Sequence, residues 1–215
     1  MAKKITSKRK YDSSRRQVQA RETKLKIMEA ARTLFLEQGY SGATIESIAK
    51  AAGVAKETVY SIFRNKRNIL AFLLDVTAGG DDQPVRIIDR PGPQAVMHDT
   101  DQKRQLTELS KGITEIMVRA SPVFEIMRMA AKTEPEIDTR VKRLYKERLD
   151  NMITFVKSIA ANGPLRDGVN LTSAGETVWA LTSPDLFQLL TVKLNWSVKQ
   201  YESWLIDTLT RLLLP

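Results

Sequence analysis

The feature that most constrains this chain is the stretch 44–66, which predicts two short helices joined by a tight turn. Apolar residues recur in it at helical spacings, so each helix carries one apolar stripe. Gly53 lies between the stripes, and a glycine readily takes the positive φ that a sharp helix-to-helix turn requires. Thr44 precedes the first stripe, where its hydroxyl can accept a hydrogen bond from a free backbone N–H of the first turn. The stretch therefore predicts a helix-turn-helix.

The second of these helices is expected to present a polar face. Its apolar residues, Val59 and Phe63, should turn inward. Lys and Arg side chains can reach phosphates or guanine edges, and hydroxyl groups suit phosphate oxygens. The pattern fits a recognition helix in the major groove of DNA, and the alternative is an ordinary helical hairpin with a solvated face. The residues left for the outer face are Lys56, Glu57, Thr58, Tyr60, Ser61 and Arg64.

The net charge of +9 is concentrated at one end of the chain. Residues 1–70 contain 16 Lys and Arg against 6 Asp and Glu, whereas residues 71–215 contain 18 against 19. This asymmetry indicates a polyanion-binding head on a nearly neutral body. We predict a flexible basic arm over 1–19, which is either a solvated tail or a segment that contacts phosphates or the minor groove. A basic arm would also be attracted to an anionic membrane surface.

Several classes of function have no support in the sequence. The chain has no cysteine, so thiolate metal sites and disulfides are excluded, and its single histidine, His98, leaves no pair for a zinc site. No phosphate-binding glycine loop is present, since the adjacent glycines Gly79 and Gly80 lie in a Pro- and Asp-rich segment. No apolar run is long enough for a membrane helix. We predict a cytoplasmic protein with no metal, no cofactor and no enzymatic activity.

The remaining periodicity predicts helices, and the fold class is all-α. We expect a three-helix DNA-binding head over 20–66 and a helical domain for effector binding and dimerisation over 67–215. A loop is predicted at 79–94, which is rich in Gly, Pro and Asp. The predicted helices outside the helix-turn-helix are 21–38, ended by Gly39, a connector from Asn65 to Ala78, 100–119, a new helix from Pro122 to Lys132, and 135–161.

The last segment, 173–214, is more apolar than one core-facing stripe requires. Pro184 should interrupt or restart its helix. We predict that a second copy of the chain covers the excess apolar surface, giving a homodimer, and the alternative is a helix pair buried in the monomer's own core. The predicted interface residues are Leu186, Leu190, Trp196, Trp204, Leu205, Leu209 and Leu212.

Methionine and aromatic side chains of the helical domain are candidates for the lining of an effector cavity. Such side chains adapt to irregular apolar ligands, although they more often form plain core. The candidates are Phe72, Met117, Phe124, Met127, Phe155 and Trp179.

Residues 24–70 resemble the tetracycline-repressor (TetR) family of bacterial transcription regulators, through the run KIMEAARTLFLEQGYSGATIESIAKAAGVAKETVYSIFRNKRNIL. The C-terminal segment also resembles the last helices of one branch of that family. The resemblance implies a homodimer joined through its last two helices, a palindromic double-stranded DNA operator and a small-molecule effector bound in each body. Carried over position by position, it implies DNA contacts at Thr44, Lys56, Glu57, Thr58, Tyr60, Ser61 and Lys66.

Two residues depart from the family pattern. Ala55 stands where a Ser or Thr often caps the recognition helix, and Glu57 stands where many members have Gly. A carboxylate at 57 could accept from a cytosine amino group, so we hypothesise that Glu57 narrows sequence choice. The overall prediction is a ligand-responsive repressor released from its operator by an effector. The alternative is a basic DNA-compacting protein of low specificity that needs no effector.

Overall fold

The computed structural model describes residues 13–215, and within that range the chain forms helices and no strand, which confirms the all-α prediction. The α-helices are α1 Ser13–Gly42, α2 Ile45–Ala52, α3 Lys56–Phe63, α4 Lys66–Gly79, α5 Pro91–His98, α6 Gln102–Ala131, α7 Pro135–Ala160, α8 Leu171–Leu181, α9 Pro184–Gln188 and α10 Val198–Leu213. A 3₁₀ turn at Ile87–Asp89 precedes α5, and a π-helical turn at Leu189–Lys193 continues α9.

The apolar side chains form two clusters. One joins the helices of the head to α4, the second half of α6 and the start of α7. The other joins the first half of α6 to the end of α7, α8, α9 and α10. Because α6 contributes to both clusters, the head and the C-terminal helices α9 and α10 all pack against this helix.

The predicted arm over 1–19 is wrong for residues 13–19, which are the first turns of α1. Residues 13–38 contain neither Gly nor Pro, so nothing interrupts a helix once it forms. The rest of the predicted arm, residues 1–12, lies outside the described residues. Gly39, with φ 71° and ψ 172°, breaks the regular backbone of α1 where the helix was predicted to end. Arg21 joins α1 to the loop after α4, since its guanidinium donates to both carboxylate oxygens of Asp82 at 2.5 and 2.6 Å.

The prediction of a new helix at Pro122 is also wrong, because α6 runs unbroken through that proline. A proline inside a helix removes one backbone donor and usually kinks or ends it. Here Ala120, Val123 and Met127 are buried on both sides of the proline, so tertiary packing favours the continuous helix. The side-chain amide of Gln188, in α9, donates a hydrogen bond of 3.1 Å to the Ser121 carbonyl.

The segment predicted as a loop at 79–94 is only partly irregular, because α5 begins at Pro91. Proline suits the first turn of a helix, where its missing N–H would have no partner in any case. Arg90 closes the loop, with Nη1 and Nη2 donating to the Asp81 carboxylate at 2.8 and 2.9 Å. The helix predicted over 135–161 is confirmed to within one residue.

The C-terminal segment restarts at Pro184, as predicted, and α10 packs one face against the second apolar cluster. Leu205 and Leu209 are completely buried in the chain's own core, so the prediction that they contact a second copy is wrong, whereas Leu190 keeps 8% of its surface exposed and its contact stays a prediction. Leu205 and Leu209 share the inward face of α10 with the buried Tyr201, whereas Leu212 is exposed. Of the other predicted interface residues, Leu186, Trp196 and Trp204 are partly buried against the same cluster. The large apolar residues exposed on this segment are Leu189, Val192, Leu194, Val198 and Leu212.

Helices α7 and α8 approach closely at Gly175. A Cβ added there would stand 2.5 Å from Ile153 Cγ1 and 3.0 Å from Ile153 Cα, which is too close without movement of the backbone. We expect Gly175→Ala to lower the free energy of unfolding by about 1–3 kcal/mol, the usual cost of overpacking.

Chemical denaturation of the two variants Gly175→Ala and Gly112→Ala tests this packing. Gly112 lies inside α6, and a Cβ there would meet no heavy atom within 4 Å. The Gly112 variant should gain about 0.5–1 kcal/mol, since Ala favours a helix over Gly. Equal stabilities for the two variants would contradict the close contact at Gly175.

Candidate DNA-binding site and effector cavity

The start of α2 is held by a reciprocal pair of hydrogen bonds. The Ser47 backbone N–H donates to Thr44 Oγ1 at 3.0 Å, and the Thr44 backbone N–H donates to Ser47 Oγ at 3.0 Å. The predicted cap at Thr44 is thus confirmed, and Ser47 completes a capping box that usually has Glu or Gln. Gly53 ends α2 with φ 66° and ψ 34°, as the turn required. These two features set the direction in which α3 leaves the turn.

Helix α3 is oriented as its periodicity predicts. Val59 and Phe63 are buried, and Tyr60 keeps 44% of its surface exposed. Ala55 makes no side-chain cap, so the first turn of α3 leaves backbone N–H groups for water or another acceptor. Exposed together with Tyr60 are Lys56, Glu57, Ser61 and Arg64, and Thr58 is half-buried.

Lys56, at the start of α3, is ion-paired with Glu46 of α2. Its ammonium also lies 5.8 Å from the centroid of the Tyr60 ring. The hydrogen bond from Lys56 holds the pKa of the Glu46 carboxyl below its ordinary value and raises the pKa of Lys56. Glu46 was not among the predicted site residues, because its proximity to Lys56 depends on how the turn folds. The pair keeps the Lys56 side chain at the exposed edge between α2 and α3.

Lys66 is partly buried and already hydrogen-bonded within the chain, and its assignment as a DNA contact stays a prediction. Its Nζ donates to the Tyr40 carbonyl at 2.6 Å and to the Ala43 carbonyl at 2.8 Å, and it lies 4.2 Å from the centroid of the Tyr40 ring. Partial burial lowers the pKa of this lysine. The residue ties the start of α4 to the connection between α1 and α2, where the chain would otherwise leave two carbonyls without a partner.

We expect Lys66→Met to lower the free energy of unfolding by about 1–2 kcal/mol, because the two carbonyls lose a charged donor. Lys50→Met is the matched control, since Lys50 is exposed on α2 and bridges no other element of the described chain. Thermal unfolding followed by circular dichroism compares the two. If both variants melt with the wild type, Lys66 has no such structural role.

Two adjoining cavities lie between the end of α4, the 3₁₀ turn with α5, and the facing sides of α6 and α7. Their volumes are about 610 and 590 Å³, which is within the range of small-molecule sites. They share one wall and therefore form two compartments of one cleft. The residues that line both are Ala78, Gly79, Ile87, Arg90, Ile113, Ile116, Asn151 and Met152.

Three of the predicted cavity residues line the cleft. Phe155 lines the first compartment, and Met117 and Phe124 line the second. All three also belong to the buried core, so each has one side on the cleft and one in packed interior. Helical spacing alone could not separate these two environments.

The other three predicted cavity residues line neither compartment. Phe72 packs on Phe63 with ring centroids 5.6 Å apart, and Met127 is buried in the first apolar cluster. Trp179 meets the edge of the Tyr145 ring, and its Nε1 donates to the Tyr145 carbonyl at 3.2 Å. Met127 is therefore core, which was its alternative, whereas Phe72 and Trp179 are partly buried.

Most residues that line the cleft were not among those predicted, and among them is a charged residue that makes no ion pair within the described chain. Arg148 of α7 lines the second compartment and hydrogen-bonds the end of α8 through Nη2. A signal for it exists in the sequence, because Arg148 falls in the apolar stripe that includes Val141, Leu144 and Met152. A charged residue within an apolar stripe indicates an inward-facing charge.

Within residues 13–215, no group of three or more His, Asp or Glu side chains is placed to hold a metal ion. The same part of the chain has no helix that combines the length and hydropathy needed to span a membrane.

Comparison with known proteins identifies the head. Residues 27–72 match the family described as "Bacterial regulatory proteins, tetR family". The HTH-type transcriptional regulator SrpR of Pseudomonas putida is 41% identical over 56 residues, which are 26% of this chain and 26% of that protein. The chain is thus matched over about a quarter of the length of this curated relative.

Solved structures share the fold over nearly the whole chain. The structure of a SmeT–triclosan complex has a TM-score of 0.71 at 20% identity and covers 90% of this chain and 92% of its own. NalD, the secondary repressor of the MexAB-OprM multidrug efflux pump in Pseudomonas aeruginosa, has a TM-score of 0.68 at 20% identity, with 92% and 98% covered. Residues 27–72 are therefore similar to the TetR family, and nearly the whole chain shares the fold of these solved structures.

Proposed function

We propose that this protein is a sequence-specific DNA-binding transcriptional regulator, a repressor that a small-molecule effector releases from its operator. The observation that carries the proposal is the polar face of α3, whose side chains are mostly exposed to solvent. The length of α3 and its exposed cation, hydroxyls and carboxylate suit a major groove. The protein would act in the cytoplasm, where bacterial DNA lies, and we assign it no catalytic role.

The contacts that we assign to DNA are those that the described structure leaves accessible. Thr44 stands at the exposed N-terminus of α2, where hydroxyl and backbone N–H groups favour a phosphate. Tyr60 and Ser61 offer hydroxyls for neighbouring phosphates, and Lys56 and Thr58 lie at the end of α3 that would enter the groove. For Lys56 to bind DNA, its ammonium must exchange the Glu46 carboxylate for a phosphate or a base edge.

Helix α4 provides the physical route between effector and DNA. It begins in the head at Lys66 and its last turns, with Leu74 and Ala78, line the second compartment. The helix has 14 residues, which at about 1.5 Å per residue spans roughly 20 Å. An effector that contacts this end of α4 can favour one arrangement of the head, by no more than its differential affinity for the two arrangements.

Repression and a small-molecule effector find support in the structural relatives. NalD is described as a repressor, and SmeT was solved with triclosan. The cleft of this chain is large enough for a ligand of that size. The exposed apolar residues of the C-terminal segment support a homodimer, whose two heads would bind half-sites about 34 Å or a small multiple apart.

Selection of bound sequences from random duplex DNA, with the purified full-length chain, tests this function. A single inverted repeat, preferred over bulk DNA by at least about 10³-fold, is the expected result. Strong, salt-sensitive binding without an enriched motif would overturn the proposal in favour of a DNA-compacting protein.

Glu57 is expected to restrict the choice of base rather than to add affinity. If its carboxylate accepts from a cytosine amino group, Glu57→Ala should relax preference at one position of each half-site by about 1–3 kcal/mol. Affinity for non-specific DNA should stay the same or rise, because one negative charge is removed from the surface that faces phosphates.

Repeating the selection with Glu57→Ala and with Glu176→Ala, an exposed carboxylate on α8, makes the comparison specific to the recognition helix. A Glu57→Ala variant with unchanged affinity and unchanged base preference would rule out this role.

A further inference from the structure

Arg148 carries a positive charge into the wall of the second compartment without a carboxylate partner. The other arginines of that wall are paired, Arg86 with Asp89 and Arg90 with Asp81. Asp185, the carboxylate that acts on Arg148 through space, is itself 3.7 Å from Arg128. Among residues 13–215, the hydrogen bonds of Arg148 go to neutral groups alone.

Those hydrogen bonds all come from one of its nitrogens. Nη2 donates to the Thr182 carbonyl at 2.9 Å, to Thr182 Oγ1 at 3.0 Å and to the Trp179 carbonyl at 3.4 Å. These acceptors lie at the C-terminus of α8, the negative end of the helix dipole. They explain how the guanidinium is oriented, but they leave its other terminal nitrogen without an acceptor.

Nη1 is shielded from solvent and has no hydrogen-bond partner in the described chain. Burial lowers the pKa of the Arg148 guanidinium to about 10, so the group is still charged at neutral pH. A buried charged donor without an acceptor is costly, and such groups are usually completed by a ligand, an ion or water.

The compartment has a partly buried cation, Arg148, and anions that are exposed at its rim. Its apolar wall includes Ile113, Met117 and Phe124, which are buried. Asp75, at the rim, is exposed and accepts from Arg140 at 2.9 Å. Glu147 is exposed and lies 3.5 Å from Arg143. Asp150, also on the rim, is open to solvent. Exposed charges interact weakly, so the partly buried Arg148 dominates the electrostatics inside.

We propose that Arg148 binds the anionic head group of the effector, and that the effector is an apolar carboxylic acid. Because Nη1 is shielded from solvent, the side chains around it would move aside for Nη1 to donate to the carboxylate oxygens, while Nη2 keeps its bonds to the end of α8. The apolar body of the acid would lie against the side chains of α6. This inference rests on the proposed function, because it takes the cleft as the effector site.

Calorimetric titration of the full chain with matched probes tests the head group without any mutation. The probes are decanoate and 2-naphthoate as acids, decanamide as the neutral counterpart and decylammonium as the cation. We expect at least one acid to bind, and decanoate to bind about tenfold or more tighter than decanamide, since hydrogen bonds to charged groups are roughly twice as strong. Binding of neither acid, equal binding of decanoate and decanamide, or tighter binding of decylammonium would overturn the proposal.

Arg148→Met should remove the preference for the acid, leaving decanoate and decanamide within about threefold of each other. Arg148→Lys retains the charge and should keep part of the preference. Arg143→Met is the control, because Arg143 is exposed on the same helix. Helix content and melting temperature establish that each variant is folded, and if Arg148→Met unfolds, the probe series on the wild type decides alone. A folded Arg148→Met variant with the wild-type preference would refute the role of Arg148.

The DNA selection described above separates this inference from the proposed function. An enriched inverted repeat together with no acid preference refutes the carboxylate effector and leaves the regulator in place. Acid binding without an enriched motif refutes the regulator and leaves Arg148 as an anion-binding residue.

Discussion

The burial of α4 between the head and α6 is the constraint on which the rest of the structure depends. Ile69, Leu70 and Leu73 are completely buried, and they belong to the apolar cluster that also contains residues of α1, α3 and α6. Packed interiors are dense and do not deform continuously. A displacement of the end of α4 that lines the cavity would therefore not be taken up by local deformation. The head would either keep its position or move to a second packed arrangement.

The polar contacts around α4 complement this packing without replacing it. Arg67 of α4 is ion-paired with Glu134 and Glu136 at the α6–α7 connection, and Arg140 of α7 with Asp75. These pairs are substantially exposed, and such pairs contribute little to stability. Lys66 is the exception, because its bonds go to backbone carbonyls that lie partly buried in the head. Lys66 thereby ties the start of α4 to the helix-turn-helix, so a movement of α4 would be transmitted to the DNA-binding head.

Predictions from the sequence were correct where a structural feature is decided by neighbouring residues, and they were wrong where it depends on residues far apart in the chain. Gly53 and the Thr44 cap are local signals, since a turn and a helix start are decided by a few neighbouring residues, and both were predicted correctly. The prediction of a helix start at Pro122 was wrong because the burial of its neighbours favours a continuous helix, and the contacts that bury them are between residues far apart in the sequence. Leu209 and Leu212 lie three residues apart in the same C-terminal helix, and only the packing of α10 shows which of them faces the core. The direction of the Lys66 side chain likewise depends on a contact across 26 and 23 residues of chain.

The strength required of an effector limits how Arg148 can work. Moving an equilibrium from 1:99 to 99:1 takes a differential affinity of about 10⁴, or roughly 5.5 kcal/mol. One charge-assisted hydrogen bond contributes about 1.5–3 kcal/mol, which is too little by itself. The carboxylate–Arg148 contact would therefore hold the ligand against α7 and α8, where nothing needs to move. The remaining differential would have to come from contacts of the apolar body with Leu74 and Ala78, which line the cavity at the far end of the helix that begins in the head.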